Sequence, residues 1–306
     1  MTSNRGWKRA AALVLLAAVA CALAGCNASK YEESDQVIIP ASALTKYIGA
    51  DGVVIVDMQD AEGYAAGHVE GAVHIAQEDI VINVPVKNML TSKNKLQKLL
   101  GANGIAGDTV VVAYDANKMN AARLFWTMLM YGNQNVRVVD GGIEAIKSAG
   151  IALTDRVPEP KTVEYVAQDK DERWLATMQD VQGQVNEPQK STVLLDVRTQ
   201  AEYLESGKVP SSVIWDFADN FAKDGAFKTT ETTRINYLNA GIRPENDVIV
   251  YCQTSMRAAS VFLRLYDAGY RNLRIYDGAY LEWSQNPNNP IDRPEGAVAP
   301  GKKDAS

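Results

Sequence analysis

Residues 247–270 read DVIVYCQTSMRAASVFLRLYDAGY. Val248-Ile249-Val250-Tyr251 has the length and the β-branched, aromatic character of a buried strand, and the turn-forming Arg243-Pro244-Glu245-Asn246-Asp247 leads into it. After Cys252 the apolar residues Ala258, Val261, Phe262 and Leu265 follow the i, i+3, i+4, i+7 spacing of one helix face, and Gly269 can end that helix. Cys252 therefore stands at the carboxyl end of a parallel strand, in a short loop that opens a helix. Open α/β sheets bind ligands at that edge. Loop amides turned inward and the positive end of the helix dipole stabilise an anion there, and the anion would be the sulfur itself. Arg257 on the same loop would add positive charge or hold an anionic substrate. Local features fit a second reading equally well, in which a buried cysteine caps the sheet edge and Arg257 lies on the surface.

Outward from this stretch the chain repeats itself. A shift of 137 positions matches Gly104 with Gly241, Ile105 with Ile242, Tyr114 with Tyr251, Met119 with Met256, Ala121 with Ala258, Ala122 with Ala259, Phe125 with Phe262, Gly132 with Gly269 and Asp140 with Asp277. So long a period indicates a duplicated domain rather than a solenoid. Upstream, VVIVDMQDAEGY (53–64) matches TVLLDVRTQAEY (192–203) at a shift of 139, and loops absorb the difference. Each half alternates short strand-like runs, such as 53–56, 110–114 and 136–139, with amphipathic helical stretches, which is the pattern of an α/β fold with a mainly parallel sheet. The expected organisation is a first domain over 35–152, a polar linker with two prolines over 153–173, a second domain over 174–290 and a mobile tail over 291–306.

The 306 residues, 46% apolar and 22% charged, suffice for two globular domains, and a formal charge of -6 makes a nucleic-acid partner an unattractive reading. The start, MTSNRGWKRAAALVLLAAVACALAGC, has a basic n-region, an apolar stretch and small residues before a cysteine, the layout of an export signal. Leu23-Ala24-Gly25-Cys26 resembles the bacterial lipobox, which implies a signal peptide over 1–25 and a lipid on Cys26. The apolar stretch from Ala10 to Ala24 falls short of the roughly 20 residues needed to span a bilayer, which disfavours an uncleaved anchor helix. The expected location is the extracytoplasmic face of a bacterial membrane, held there by the lipid anchor. Cys252 would then be the sole free thiol of the mature chain.

The motifs LLDVRTQAEY (194–203), Cys252-Gln253-Thr254-Ser255-Met256-Arg257 and YDGAYLEW (276–283), with IVDMQDAEGYAAGHVEGAVHI (55–75) and VVDGGIEAI (138–146) in the first half, resemble tandem rhodanese domains of the sulfurtransferase family. The resemblance covers nearly all of residues 35–290. It implies that Cys252 takes a sulfane sulfur from a small anionic donor, becomes a persulfide and passes the sulfur to a thiophilic acceptor, a ping-pong covalent mechanism without cofactor or metal. It also implies that the amides of Gln253, Thr254, Ser255, Met256 and Arg257 cradle the sulfur, that Arg257 and Arg198 face the donor, and that Asp196 is structural. Thiosulfate is the donor expected first, by charge complementarity. The loop itself matches neither the two-cation type associated with thiosulfate nor the glycine-bearing type associated with mercaptopyruvate.

The first half departs from the pattern, because Asp115 and Asn120 stand at the cysteine and arginine positions. It cannot form a persulfide there; Asp115 can instead accept hydrogen bonds from helix N-terminal amides, and this half is expected to form one wall of the cleft. His68, in AGHVEGA, reads as structural. Among other chemistries, phosphatase and arsenate reductase loops place five residues between cysteine and arginine, whereas four intervene here. A cysteine protease needs a histidine base, and both histidines, His68 and His74, lie in the first half. The alternative outside enzymology is a membrane-tethered protein that binds sulfur or senses redox state through Cys252 without turnover.

Overall fold

The computed structural model describes residues 37–294. The expectations for the signal peptide, for Cys26 and for residues 295–306 lie outside the described residues. No helix among them is long and apolar enough to cross a membrane.

The β-branched runs of the first half become β1 (Ile38–Ile39), β2 (Val53–Asp57), β3 (Val73–His74), β4 (Val110–Tyr114) and β5 (Val136–Val139), a parallel sheet in the order β1-β5-β4-β2-β3. Between them run α1 (Ala61–Ala66), α2 (Lys93–Ala102), α3 (Asn120–Met130) and α4 (Gly142–Ser148). The second half repeats the plan with β6 (Leu175–Ala176), β7 (Thr192–Asp196), β8 (Val213–Ile214), β9 (Asp247–Tyr251) and β10 (Leu273–Tyr276), parallel in the order β6-β10-β9-β7-β8. Its helices are α5 (Met178–Asn186), α6 (Gln200–Ser206), α7 (Thr230–Asn239), α8 (Met256–Asp267) and α9 (Ala279–Gln285). Central strands covered on both faces read as continuous apolar runs, which is why Val248 to Tyr251 and Val111 to Tyr114 are all buried. The fold is α/β, two similar domains, each a parallel five-stranded sheet flanked by helices.

One core runs through both halves, and each sheet has a second, smaller core on its far face. α3 and α8 meet at the centre of the shared core. Phe125 lies edge-on to Tyr266 at 5.4 Å, and Trp174 lies edge-on to both Phe262 and Tyr266 at 5.9 and 5.8 Å. This contact explains why every residue of α3 and all but Arg257 of α8 are buried.

Segment 153–173 is a strap rather than a free tether. Leu153–Thr154 pairs antiparallel with His68–Val69, Val163 N donates to Gly101 O at 3.0 Å, Gln168 N donates to Tyr131 O at 3.0 Å, and Tyr165 and Ala167 are buried. Residues 291–293, expected to open a mobile tail, are instead held in place. Asp292 exchanges two backbone hydrogen bonds with Lys208, at 2.9 and 2.8 Å, which pins 291–293 to the second domain. His68 is fully buried, stacks on Tyr64 at 3.9 Å and has both ring nitrogens near carbonyl oxygens, those of Tyr64 and Arg156.

Candidate active site

β7 and β9 end together, with Asp196 opposite Tyr251, and this register delivers Cys252 to the carboxyl edge of the sheet. Tyr251 fixes the strand end, since its hydroxyl donates to Ser212 Oγ at 2.8 Å and accepts from Val209 N at 3.3 Å. The loop then turns through Ser255, held in the left-handed region at φ 62°, before α8 begins at Met256. Such a conformation costs a non-glycine residue about 1–2 kcal/mol, so neighbouring contacts must impose it. Tyr280 N donates to Cys252 O at 2.9 Å and Leu281 N to Gln253 O at 3.1 Å. In a trans peptide N–H and C=O point opposite ways, so fixing these carbonyls outward turns the N–H groups of Gln253 and Thr254 to the other side. Cys252 is only 1% exposed, at the floor of this loop, while Gln253 and Thr254 are partly exposed at its rim.

The first domain shows what such a loop holds. Asp115 occupies the place of Cys252, and its carboxylate accepts from Lys118 N and Ala121 N, both at 2.9 Å. Lys118 repeats the left-handed turn at φ 64°, and Ile143 N donates to Asp115 O at 2.9 Å as Tyr280 N does to Cys252 O. In the first domain the loop is an anion seat filled by its own carboxylate, and in the second the same backbone turn presents a thiol. Burial pushes the Asp115 carboxyl above its ordinary range, and the amides of Ala121, Lys118, Asn120 and Met119 pull it part of the way back.

Arg257 faces the seat from the first turn of α8. Its two terminal nitrogens grip Glu202, each at 2.7 Å. Glu202 also closes a capping box with Thr199 at the start of α6. Burial would raise the Glu202 carboxyl, but the hydrogen bonds from Arg257 and Thr199 outweigh it and hold the group down at about 2. The guanidinium is held firmly protonated, first by Glu202 against the cost of burial and then by the nearby Cys252. Beside the loop opens a cavity of about 550 Å³ lined by Glu202, Glu205, Ser206, Gln253, Tyr280 and Arg293 among others.

Arg198 does not join this site, which corrects the expectation that it faces the donor. It is fully buried, and all its nitrogens are engaged. Nε and Nη2 bind Asp196, Nη2 also donates to Gly207 O at 2.7 Å, Nη1 donates to Ser206 Oγ at 3.0 Å, and the guanidinium lies 3.7 Å from the Tyr280 ring centre. The corresponding Gln59 binds Asp57 at 2.9 Å and reaches Gly67 O at 3.4 Å, so the same frame exists in the domain that lacks the cysteine. Arg198 braces the strand end, and Asp196 is its buried partner.

Two residues of the first domain reach the cysteine loop although the sequence reading passed them over. Asn88 donates to Thr254 Oγ1 at 3.1 Å, and Arg123 donates to Ser255 Oγ at 3.1 Å. One signal could have marked Arg123, the single charge inside the mostly apolar helix NAARLFWTMLM, and nothing in the sequence marks Asn88.

Comparison with known proteins agrees with this geometry. The rhodanese-like domain model matches twice, over residues 40–149 and 177–286. Thiosulfate sulfurtransferase of Corynebacterium glutamicum is 30% identical, covering 84% of this chain and 91% of that protein. Sulfur carrier protein TtuD of Thermus thermophilus is 30% identical over 76% of this chain and 87% of its own length. Among solved structures, the anaerobic ergothioneine biosynthesis enzyme of Chlorobium limicola superimposes with a TM-score of 0.78 at 20% identity, covering 86% of this chain and 72% of that one, a likeness of fold. With both halves matched and a relative of this similarity along most of its length, the chain belongs to the rhodanese-like sulfurtransferase family, as a tandem of two such domains.

Proposed function

We propose that the protein moves a sulfane sulfur through a persulfide on Cys252, from a small anionic donor to a thiophilic acceptor, with thiosulfate as the first donor to test. The supporting observation is the anion seat around Cys252, whose twin in the first domain holds the Asp115 carboxylate on backbone amides. With thiosulfate, the Cys252 thiolate attacks the outer sulfur; a new S–S bond forms as the bond to the sulfonate sulfur breaks, and sulfite leaves with the electron pair. A nucleophile such as cyanide then attacks the outer sulfur of the persulfide, becoming thiocyanate and returning the thiolate, with no external oxidant or reductant. The seat stabilises the thiolate that attacks and the persulfide anion that results.

Arg257 tempers the choice of donor, because Glu202 already balances its charge. Attraction for a dianion then rests on the loop amides and on whatever field the pair leaves uncancelled. The relatives' names supply thiosulfate, and cyanide-dependent thiocyanate formation from thiosulfate and 3-mercaptopyruvate is the assay that tests the reading. Turnover with at least one donor, absent in Cys252→Ser, is expected; binding of sulfur without turnover would instead favour the carrier or sensor reading.

We further propose that the chain is exported and carried on a bacterial membrane by a lipid on Cys26. Expression in bacteria with and without a signal peptidase II inhibitor, followed by mass measurement of the amino-terminal peptide, tests this. An acylated Cys26 peptide that disappears under the inhibitor is expected, and an unmodified one would refute it.

A further inference from the structure

Arg123 is a cation buried in the heart of the molecule, on α3 of the domain that has no cysteine. Its side chain is 0% exposed, with Nη1 3.1 Å from Ser255 Oγ and 2.8 Å from Asp277 Oδ1. Nη2 donates to Asn88 O at 2.7 Å, and the guanidinium lies 4.5 Å from the Trp126 ring centre. Both ends of the cysteine cradle meet at this group. Ser255 is the left-handed residue at which the loop turns into α8, and Asp277 begins the turn that leads to Tyr280 and Leu281, whose amides hold the Cys252 and Gln253 carbonyls outward. Asp277 is held from the first domain by a further bond, Leu90 N to Oδ2 at 2.6 Å.

Pairing with the buried Asp277 gives the fold one reason for an arginine here, but an expensive one. Burying a guanidinium costs solvation that an apolar side chain of similar volume would not lose, and Nε finds no hydrogen-bond partner among the described residues. The equivalent position on α8 is Ser260, so the architecture accommodates a small side chain at this point. The loop that Ser260 would serve carries Asp115 and has no sulfur to orient, and its left-handed residue, Lys118, instead lays its ammonium 4.7 Å from the Phe221 ring centre.

We propose that Arg123 is a positioning residue of the cysteine loop. The domain without a cysteine supplies the buried charge that fixes the turn at Ser255, and with it the direction of the loop amides, so the second domain transfers sulfur only while the first is docked on it. This rests on the persulfide reading of Cys252. The test uses the full chain as wild type, Arg123→Gln, Arg123→Lys, Ser255→Ala and the Arg123→Gln/Ser255→Ala pair, with steady-state sulfur transfer and the thermal midpoint measured on each. Displacing loop groups without touching the donor should lower kcat roughly tenfold to hundredfold in Arg123→Gln, leave the donor KM within about twofold, and let Arg123→Lys recover part of the loss. Ser255→Ala should lower kcat less, and the double variant should be little worse than Arg123→Gln, because the bond between Arg123 and Ser255 is already lost in the single variant.

A wild-type kcat in Arg123→Gln, a loss confined to KM, or losses that multiply in the double variant would overturn the proposal. If Arg123→Gln does not fold, Ser255→Ala decides, and an unchanged kcat there overturns it. Failure of the wild type to transfer sulfur from thiosulfate or 3-mercaptopyruvate would instead overturn the sulfur-transfer reading, and that result stands before any variant is made.

Discussion

The loops at Asp115 and Cys252 share a backbone and differ in what they hold. Both follow the central strand of a parallel sheet, both turn through a left-handed residue near φ 60°, and both are tied by an amide from the turn after the last strand. One holds a carboxylate that its own amides satisfy. The other holds a thiol flanked by the Arg257–Glu202 pair, for which the first domain has Asn120 and Gly63 in the corresponding places. The first domain fills the turn with its own anion, while the second repeats the backbone with a thiol in that place and a charged pair beside it. The Asp115 loop serves as the internal control for the Cys252 loop.

That comparison can be broken most severely at Cys252 itself. Cys252→Ser should reduce sulfur transfer to the uncatalysed level while leaving the thermal midpoint nearly unchanged, as measured by turnover and calorimetry; residual turnover would show that the seat's occupant is not the nucleophile. Next in size is Arg198→Leu. Leaving Asp196 buried without its partner should cost about 3–5 kcal/mol of stability by urea unfolding, with the donor KM unchanged in the folded fraction. A raised KM would return Arg198 to the substrate site. Asp115→Ala mirrors the cysteine substitution, since stranding the amides of Lys118 and Ala121 should cost about 1–3 kcal/mol while the specific activity of folded protein persists.

The smallest effect contrasts the two acids. Glu202 titrates near 2 in the folded chain against an ordinary 4.5, so its contribution is present above pH 4.5 and is lost as pH falls toward 2. Solvent screening of the half-buried pair reduces that contribution to about 1–2 kcal/mol. Asp115 has the opposite sign: its raised folded pKa means the native state holds the proton more tightly, so its share of stability declines as pH rises from the unfolded to the folded value. Stability measured against pH for Glu202→Gln and Asp115→Asn should remove slopes of opposite sign, and slopes of the same sign would contradict the assignment of burial to one acid and pairing to the other.

The position of Cys252 was legible because it depends on local pattern, an apolar run followed by helical spacing, and the duplication was legible because it lies in the letters themselves. Partnerships were not. Glu202 and Arg257 are 55 residues apart and meet only when β7 and β9 pair; Arg198 sits in a motif that reads as substrate-facing until its side chain is seen folded back on Asp196 and Gly207. Arg123 reaches Ser255 across a domain boundary, and no spacing within either domain encodes that contact. The anchoring of 291–293 depends equally on Lys208, far away in sequence.

The most direct test of the persulfide at Cys252 is the intact mass of the protein after incubation with thiosulfate or 3-mercaptopyruvate and again after cyanide. The account predicts a gain of one sulfur atom that maps to the Cys252 peptide, disappears with cyanide and is absent from Cys252→Ser. No gain with either donor, or a gain that survives in the serine variant, would contradict it.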